Sequence, residues 1–296
     1  MRVLCGDGAM GTLLMAEGVP LQQCFEELCV SEPDRIRTIH ERYISAGARV
    51  IKTNTFGANA VRLERFGMEG RVAEVNRAAA RVAKEAARGR NVYVAGSVGP
   101  LGITAEEAAA RDIDRAQCFR EQICALLEGG VDAIFFETFM DLAEIEIAFL
   151  ARGALSVLPE ICSFACAPDG RLPSGMQLRD ASRRLRQQGA KIVGVNCMNG
   201  PSDTAQLLHH LRAESLLAAY PAAGRPRCFN GQISYDTKPE EFTRPVREMV
   251  ELGARLIGGC CGTTPAHIAA IAITIAELPA RRSKSISVAA DRHTPA

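Results

Sequence analysis

Tryptophan is absent from these 296 residues, tyrosine occurs four times, and aromatic residues make up 5% of the chain. Surfaces that hold single-stranded nucleic acid stack bases on aromatic rings and follow the backbone with cations. With 35 basic and 34 acidic side chains, a net charge of +1, the chain supplies neither feature, and no nucleic acid partner is expected. Long apolar runs are missing as well. Gly, Asp or Arg interrupts each one before the ~20 residues that a membrane span requires, and the opening MRVLCGDG has no extended apolar stretch of the secretory kind. No membrane association is expected, and a cytoplasmic location is. The five histidines form no H-E-x-x-H pair. His40, His209, His210 and His293 read as surface or capping groups, and His267 as a residue behind a site at a helix start.

Apolar residues and cysteine are plentiful. A 47% hydrophobic content with 23% charged residues fills a folded core. Eleven cysteines, an odd count in a chain too large to need staples, fit a reduced compartment better than a disulfide framework. Cys5, Cys118, Cys124, Cys162 and Cys228 read as small apolar groups. Cys24 and Cys29 match no zinc spacing and receive no function.

Short runs rich in Val, Ile and Phe recur at Val3–Cys5, Val50–Thr55, Val92–Gly96, Ala133–Glu137, Ile161–Cys166, Ile192–Cys197, Cys228–Gln232 and Leu256–Cys260. Each has a strand's length, and a segment of helical periodicity follows each. Eight alternations over 296 residues give about 37 residues per unit. Strands apolar on both faces suit a parallel sheet. The expected fold is therefore a (β/α)8 barrel over residues 1–279, with 280–296 a polar tail or linker. A doubly wound sheet is the second choice, because it usually stops at five or six strands.

Barrel chemistry gathers at the C-terminal strand ends. Those ends carry Asp7, Asn54, Thr55, Ser97, Glu137, Cys166, Cys197, Asn230, Cys260 and Cys261. Cys197 and the Cys260–Cys261 pair share a rim, where three thiolates can converge and hold Zn²⁺ with its fourth position open. Glycines flanking the pair let a ligand approach. A vicinal disulfide is the alternative. Gly6-Asp-Gly-Ala-Met-Gly11 matches a dinucleotide fingerprint, but Gly18 and Pro20 break the helix that should follow, so the loop reads instead as a cradle for a small anion. Glu137, set after two Phe, reads equally as the partner of a ligand ammonium or of a nearby Arg. Together these features suit a sulfur-containing amino acid beside a thiophilic metal. A Schiff-base barrel is set aside because Lys52 and Lys191 fall at or before strand starts.

Asp7-Gly-Ala-Met-Gly-Thr12, Lys52-Thr-Asn-Thr-Phe-Gly-Ala-Asn59, Gly96-Ser-Val-Gly-Pro100, Val195-Asn-Cys197 and Gly258-Gly-Cys-Cys-Gly-Thr-Thr-Pro265 resemble the homocysteine S-methyltransferase family from about Leu4 to Ile275. The resemblance implies zinc on Cys197, Cys260 and Cys261, with homocysteine sulfur in the open position. It also implies a substrate pocket drawn from Asp7, Gly8, Ala9, Asn54, Thr55, Ser97, Glu137 and Asn196. Where the family often has Pro-Asn-Ala-Gly-Leu-Pro, this chain has Cys228-Phe-Asn-Gly-Gln-Ile-Ser-Tyr-Asp236, so Asn230 and Gly231 match and Gln232 to Asp236 depart. A betaine donor would want an aromatic cage, for which Phe56, Phe139 and Tyr235 are the candidates near the rim. No D-x-H-x-x-G corrinoid signature is present. Methylcobalamin would therefore arrive on another module, in company with a folate-using one. S-methylmethionine or S-adenosylmethionine would serve a stand-alone enzyme, and a non-catalytic zinc or redox scaffold is the rival of another class.

Overall fold

The computed structural model describes residues 2–153, 157–211, 216–229 and 232–279. Asn230, Gly231 and the polar tail 280–296 lie outside the described residues. Among the described residues ten strands form: β1 Leu4–Cys5, β2 Val50–Lys52, β3 Tyr93–Val98, β4 Ala133–Phe139, β5 Glu160–Phe164, β6 Ile192–Asn196, β7 Leu216–Tyr220, β8 Arg227–Phe229, β9 Gln232–Ser234 and β10 Ala254–Ile257. Eight of them make one parallel sheet in the order β1-β10-β7-β6-β5-β4-β3-β2, and a parallel bridge from Gly6 to Val50 joins its two edges. A doubly wound sheet has open edges, so this closure decides for the (β/α)8 barrel.

The expected helices appear over Pro33–Ser45, Val72–Ala87, Arg115–Glu128, Leu142–Ala151, Leu178–Gln187, Pro201–Leu208, Thr243–Glu251 and Pro265–Glu277. Local signals set their ends. Proline is the first residue of three of them, Pro33, Pro201 and Pro265, and the Asp114 side chain accepts from Gln117 N at another N-terminus.

The seventh barrel strand is Leu216–Tyr220, and the expected Cys228–Gln232 is not a barrel strand. Leu-Leu-Ala-Ala-Tyr contains no β-branched residue and favours a helix on propensity alone. Pairing on both flanks, with β6 and with β10, overrides that preference. Gly194 on β6 makes the approach possible, because a Cβ there would lie 2.1 Å from the Ala218 carbonyl oxygen on β7. The Cys228 segment is half of an antiparallel hairpin, β8 with β9, in the connection that follows β7.

Apolar residues pack in two layers. One fills the barrel with Val50, Ala95, Phe135, Ile161, Ala218, Tyr220, Leu256 and Cys260, and the other lies between strands and helices. His40 belongs to the outer layer rather than to the surface. It is fully buried, and burial lowers its pKa to about 4.

Candidate active site

β7 sits between β6 and β10, and its end fastens the two cysteine-bearing turns. Tyr220 O accepts from Cys197 N at 3.0 Å, Pro221 O accepts from Cys260 N at 2.8 Å, and Ala223 N donates to Cys261 O at 2.9 Å. Cys197 and Met198 follow β6 with φ of 59° and 56°, a left-handed conformation uncommon for side-chain-bearing residues. That turn brings Cys197 Sγ to 3.6 Å from Cys261 Sγ, and the sulfurs of Cys197, Cys260 and Cys261 all lie within 4.8 Å of one another. Tetrahedral thiolates at ~2.3 Å from one ion would be separated by about 3.8 Å, so the cluster fits a three-cysteine metal site. Hydrogen bonding with Cys197 and Cys260 lowers the pKa of Cys261, while contacts with Cys260 and Cys261, with burial, raise that of Cys197. One thiolate is thereby favoured, and a cation is required to hold three.

Asn196 supports the cluster from behind. Its Oδ1 accepts from Thr138 N at 2.8 Å, and its Nδ2 donates to Thr138 Oγ1 at 2.6 Å and reaches Cys260 Sγ at 3.9 Å. Thr138, next to Glu137, has φ of 65°, so three of the four non-glycine residues with positive φ among the described residues gather at this rim.

A charged group shares the barrel interior with these sulfurs. Lys52 is the last residue of β2, not at a strand start. Its Nζ lies 2.7 Å from Glu137 Oε2 and 4.8 and 5.4 Å from the ring centroids of Tyr220 and Phe135. The ion-pair partner of Glu137 is therefore a lysine, not an arginine, and Ser97 Oγ donates to its other oxygen. Burial opposes the charge on Lys52, but Glu137 and Asp7 hold its pKa above the usual value. An ammonium held in this ion pair is a poor nucleophile, which weighs against the Schiff-base reading. Asp7 Oδ2 accepts from Lys52 N at 2.7 Å, whereas Oδ1 is buried without a partner among the described residues. Burial raises the Asp7 pKa to about 7, with Lys52 partly offsetting it.

The remaining expected residues divide. Gly8 packs where a Cβ would meet Tyr43 and Thr263, and Ala9 N donates to Thr263 Oγ1 at 3.2 Å, which fixes the loop that carries Asp7. Asn54 Nδ2 donates to Phe25 O at 2.6 Å, and Thr55 Oγ1 donates to Ser97 O at 2.7 Å, so both side chains bond within the scaffold and not to the sulfur cluster. Phe139 is buried against Phe119 and Phe136, and Phe56 faces Arg62, which leaves Tyr235 as the aromatic at the cysteines. A Cβ on Gly262 would lie 2.2 Å from Cγ of Tyr235, so this ring rests on the turn that carries Cys261. His267 anchors the segment behind it: Nδ1 accepts from Thr264 N at 3.2 Å and Nε2 donates to Thr237 O at 2.9 Å. Sequence reasoning missed Lys52 and Tyr220. A lysine inside the apolar run Val50-Ile-Lys was the available signal, since such a charge is retained only when paired.

A family model described as homocysteine S-methyltransferase matches residues 4–275. Methionine synthase of Mycobacterium tuberculosis is 33% identical over 302 residues, covering 94% of this chain and 25% of that protein. The Mycobacterium leprae enzyme of the same name is 32% identical over 300 residues, with 93% and 24% coverage. The chain thus spans about a quarter of the length of these relatives. The crystal structure of the homocysteine methyltransferase MmuM from Escherichia coli in its metallated form superposes with a TM-score of 0.76 at 27% identity, covering 92% of this chain and 96% of that one. A methyltransferase from Methanosarcina mazei, at 11% identity and a TM-score of 0.58, shares the fold.

Proposed function

The chain belongs to the homocysteine S-methyltransferase family, and from that membership we propose that it methylates the thiol of homocysteine to give methionine. The observation that carries the reading is the convergence of three cysteine sulfurs, from the ends of β6 and β10, beside a buried acidic pocket. Cys197, Cys260 and Cys261 would hold zinc, which when bound supplies a Lewis acid that keeps a coordinated thiol deprotonated at neutral pH. Asn196 keeps Cys260 and the Glu137–Thr138 stretch of β4 in register. Asp7 and Glu137 receive the substrate's ammonium group, and the packed Gly8–Ala9 loop fixes Asp7 for that contact. Tyr235 covers the cysteine turn and limits water there.

The methyl donor is methylcobalamin carried on another module, with residues 1–279 acting as the homocysteine barrel. The extent of the methionine synthases, about four times that of this chain, supports this arrangement. A cytoplasmic setting accords with free thiols at the site. The match to nearly the whole of MmuM favours a second reading, a self-sufficient enzyme using S-methylmethionine or S-adenosylmethionine. Methionine formation by the zinc-loaded chain separates them. Slow, non-saturating turnover with free methylcobalamin is expected, because a tethered donor needs no tight pocket. Saturable turnover with S-methylmethionine at micromolar concentrations would establish the second reading instead.

A further inference from the structure

A lysine inside a barrel is costly, and two carboxylates already hold this one charged. Charge balance between Asp7 and Glu137 would account for a cation, yet it leaves the hydrogen-bond inventory incomplete. An ammonium group has three donors. Among the described residues, Glu137 supplies the acceptor at 2.7 Å, while Tyr220 and Phe135 present ring faces. The Lys52 side chain is 11% exposed and that of Glu137 7%, so the ion pair lies within the barrel mouth with little water around it. Asp7 Oδ1 is buried with no donor among the described residues. The pocket therefore offers unsatisfied capacity of both signs: cationic N–H groups at Lys52 and an anionic oxygen at Asp7.

An α-amino acid carries the complementary pair, a carboxylate and an ammonium on one carbon. We propose that Lys52 is a specificity-determining residue that binds the α-carboxylate of the substrate, while Asp7 and Glu137 take its ammonium, so that the Lys52–Glu137 ion pair matches a zwitterion head to tail. Without Lys52 the pocket would hold two carboxylates and repel the substrate's third. Tyr220 and Phe135, which flank the Lys52 ammonium, belong to the same interior layer as Cys260, which puts the charged pair and the sulfur cluster on one packed layer of the barrel. This deepens the homocysteine reading and rests on it.

Calorimetric titration of the zinc-loaded protein with homocysteine and with its decarboxylated analogue, 3-aminopropane-1-thiol, tests the assignment. Wild type should prefer homocysteine, and Lys52→Met should lose about 10- to 100-fold of that preference, the range expected for a hydrogen bond to a charged group. Binding of the analogue should change by less than threefold. Because Lys52→Met leaves Glu137 unpaired, the Lys52→Met/Glu137→Gln variant is titrated alongside. It weakens ammonium binding for both ligands alike, so their ratio should collapse by the same factor as in the single variant. Equal losses for both ligands in Lys52→Met, or an unchanged ratio in the double variant, would show that Lys52 only balances charge and would overturn the proposal. Failure of wild type to bind homocysteine at all would overturn the underlying reading and this one with it.

Discussion

Replacing Glu137 with Gln tests the energetic basis of the pocket before any substrate is added. The substitution conserves volume and can keep a hydrogen bond to Ser97, but it leaves the Lys52 ammonium against Tyr220 and Phe135 with Asp7 as its remaining counter-charge. Removing one partner of a buried ion pair costs about 3–5 kcal/mol, and Asp7 should hold the loss near the lower end. At about 2–4 °C per kcal/mol for a fold of this size, the Tm should fall by about 6–12 °C. The assay is thermal unfolding by circular dichroism at pH 7.5, with Glu128→Gln as control. Glu128 pairs with Arg77 at 2.6 Å, but those side chains are 56% and 46% exposed, so its loss should shift the Tm by less than about 2 °C. The Lys52→Met/Glu137→Gln protein, which removes both charges, should recover at least half of the lost stability. Equal shifts for Glu137→Gln and Glu128→Gln would refute the reasoning, because the barrel pair would then be as well solvated as a surface one.

Gly194→Ala should lower the Tm by about 5 °C or more or prevent soluble expression, because the added Cβ meets a backbone oxygen that cannot rotate away. A Tm within 2 °C of wild type would contradict the close β6–β7 approach. Asp7 has a folded pKa of about 7 against an ordinary value of 3.8. The folded state therefore holds the extra proton between these values, and its contribution to stability falls as pH rises from about 4 to 7. The stability difference between wild type and Asp7→Asn, from urea unfolding across that window, should change in this direction and level off above pH 7. No pH dependence of that difference would exclude a buried Asp7. Homocysteine affinity should rise through the same interval as the Asp7 carboxylate forms, and Asp7→Asn should flatten the rise.

Most of the barrel is legible in the sequence because its strands are rich in β-branched residues and its helices are bounded by Pro, Asp and Gly. β7 escapes for a physical reason: Leu-Leu-Ala-Ala-Tyr has no β-branched residue, and its conformation is imposed by two neighbouring strands. The sulfur cluster is legible because barrel topology places the ends of β6 and β10 on one rim. The charge cluster is only half legible. Asp7 and Glu137 stand out as acids at strand ends, whereas the role of Lys52 depends on its side chain turning into the barrel from β2 and meeting Glu137 of β4, 85 positions later in the chain, across β3.

Metal analysis coupled to homocysteine titration tests the central claim most directly. The purified chain should bind one zinc ion, lose it when Cys197, Cys260 or Cys261 is replaced by Ala, and retain it in Cys118→Ala. Homocysteine added to the zinc-loaded protein should bind with release of a proton, because the bound thiol is deprotonated. Stoichiometric zinc in the Cys260→Ala protein, or a zinc site that takes up no homocysteine and releases no proton, would contradict an open three-cysteine centre for methyl transfer.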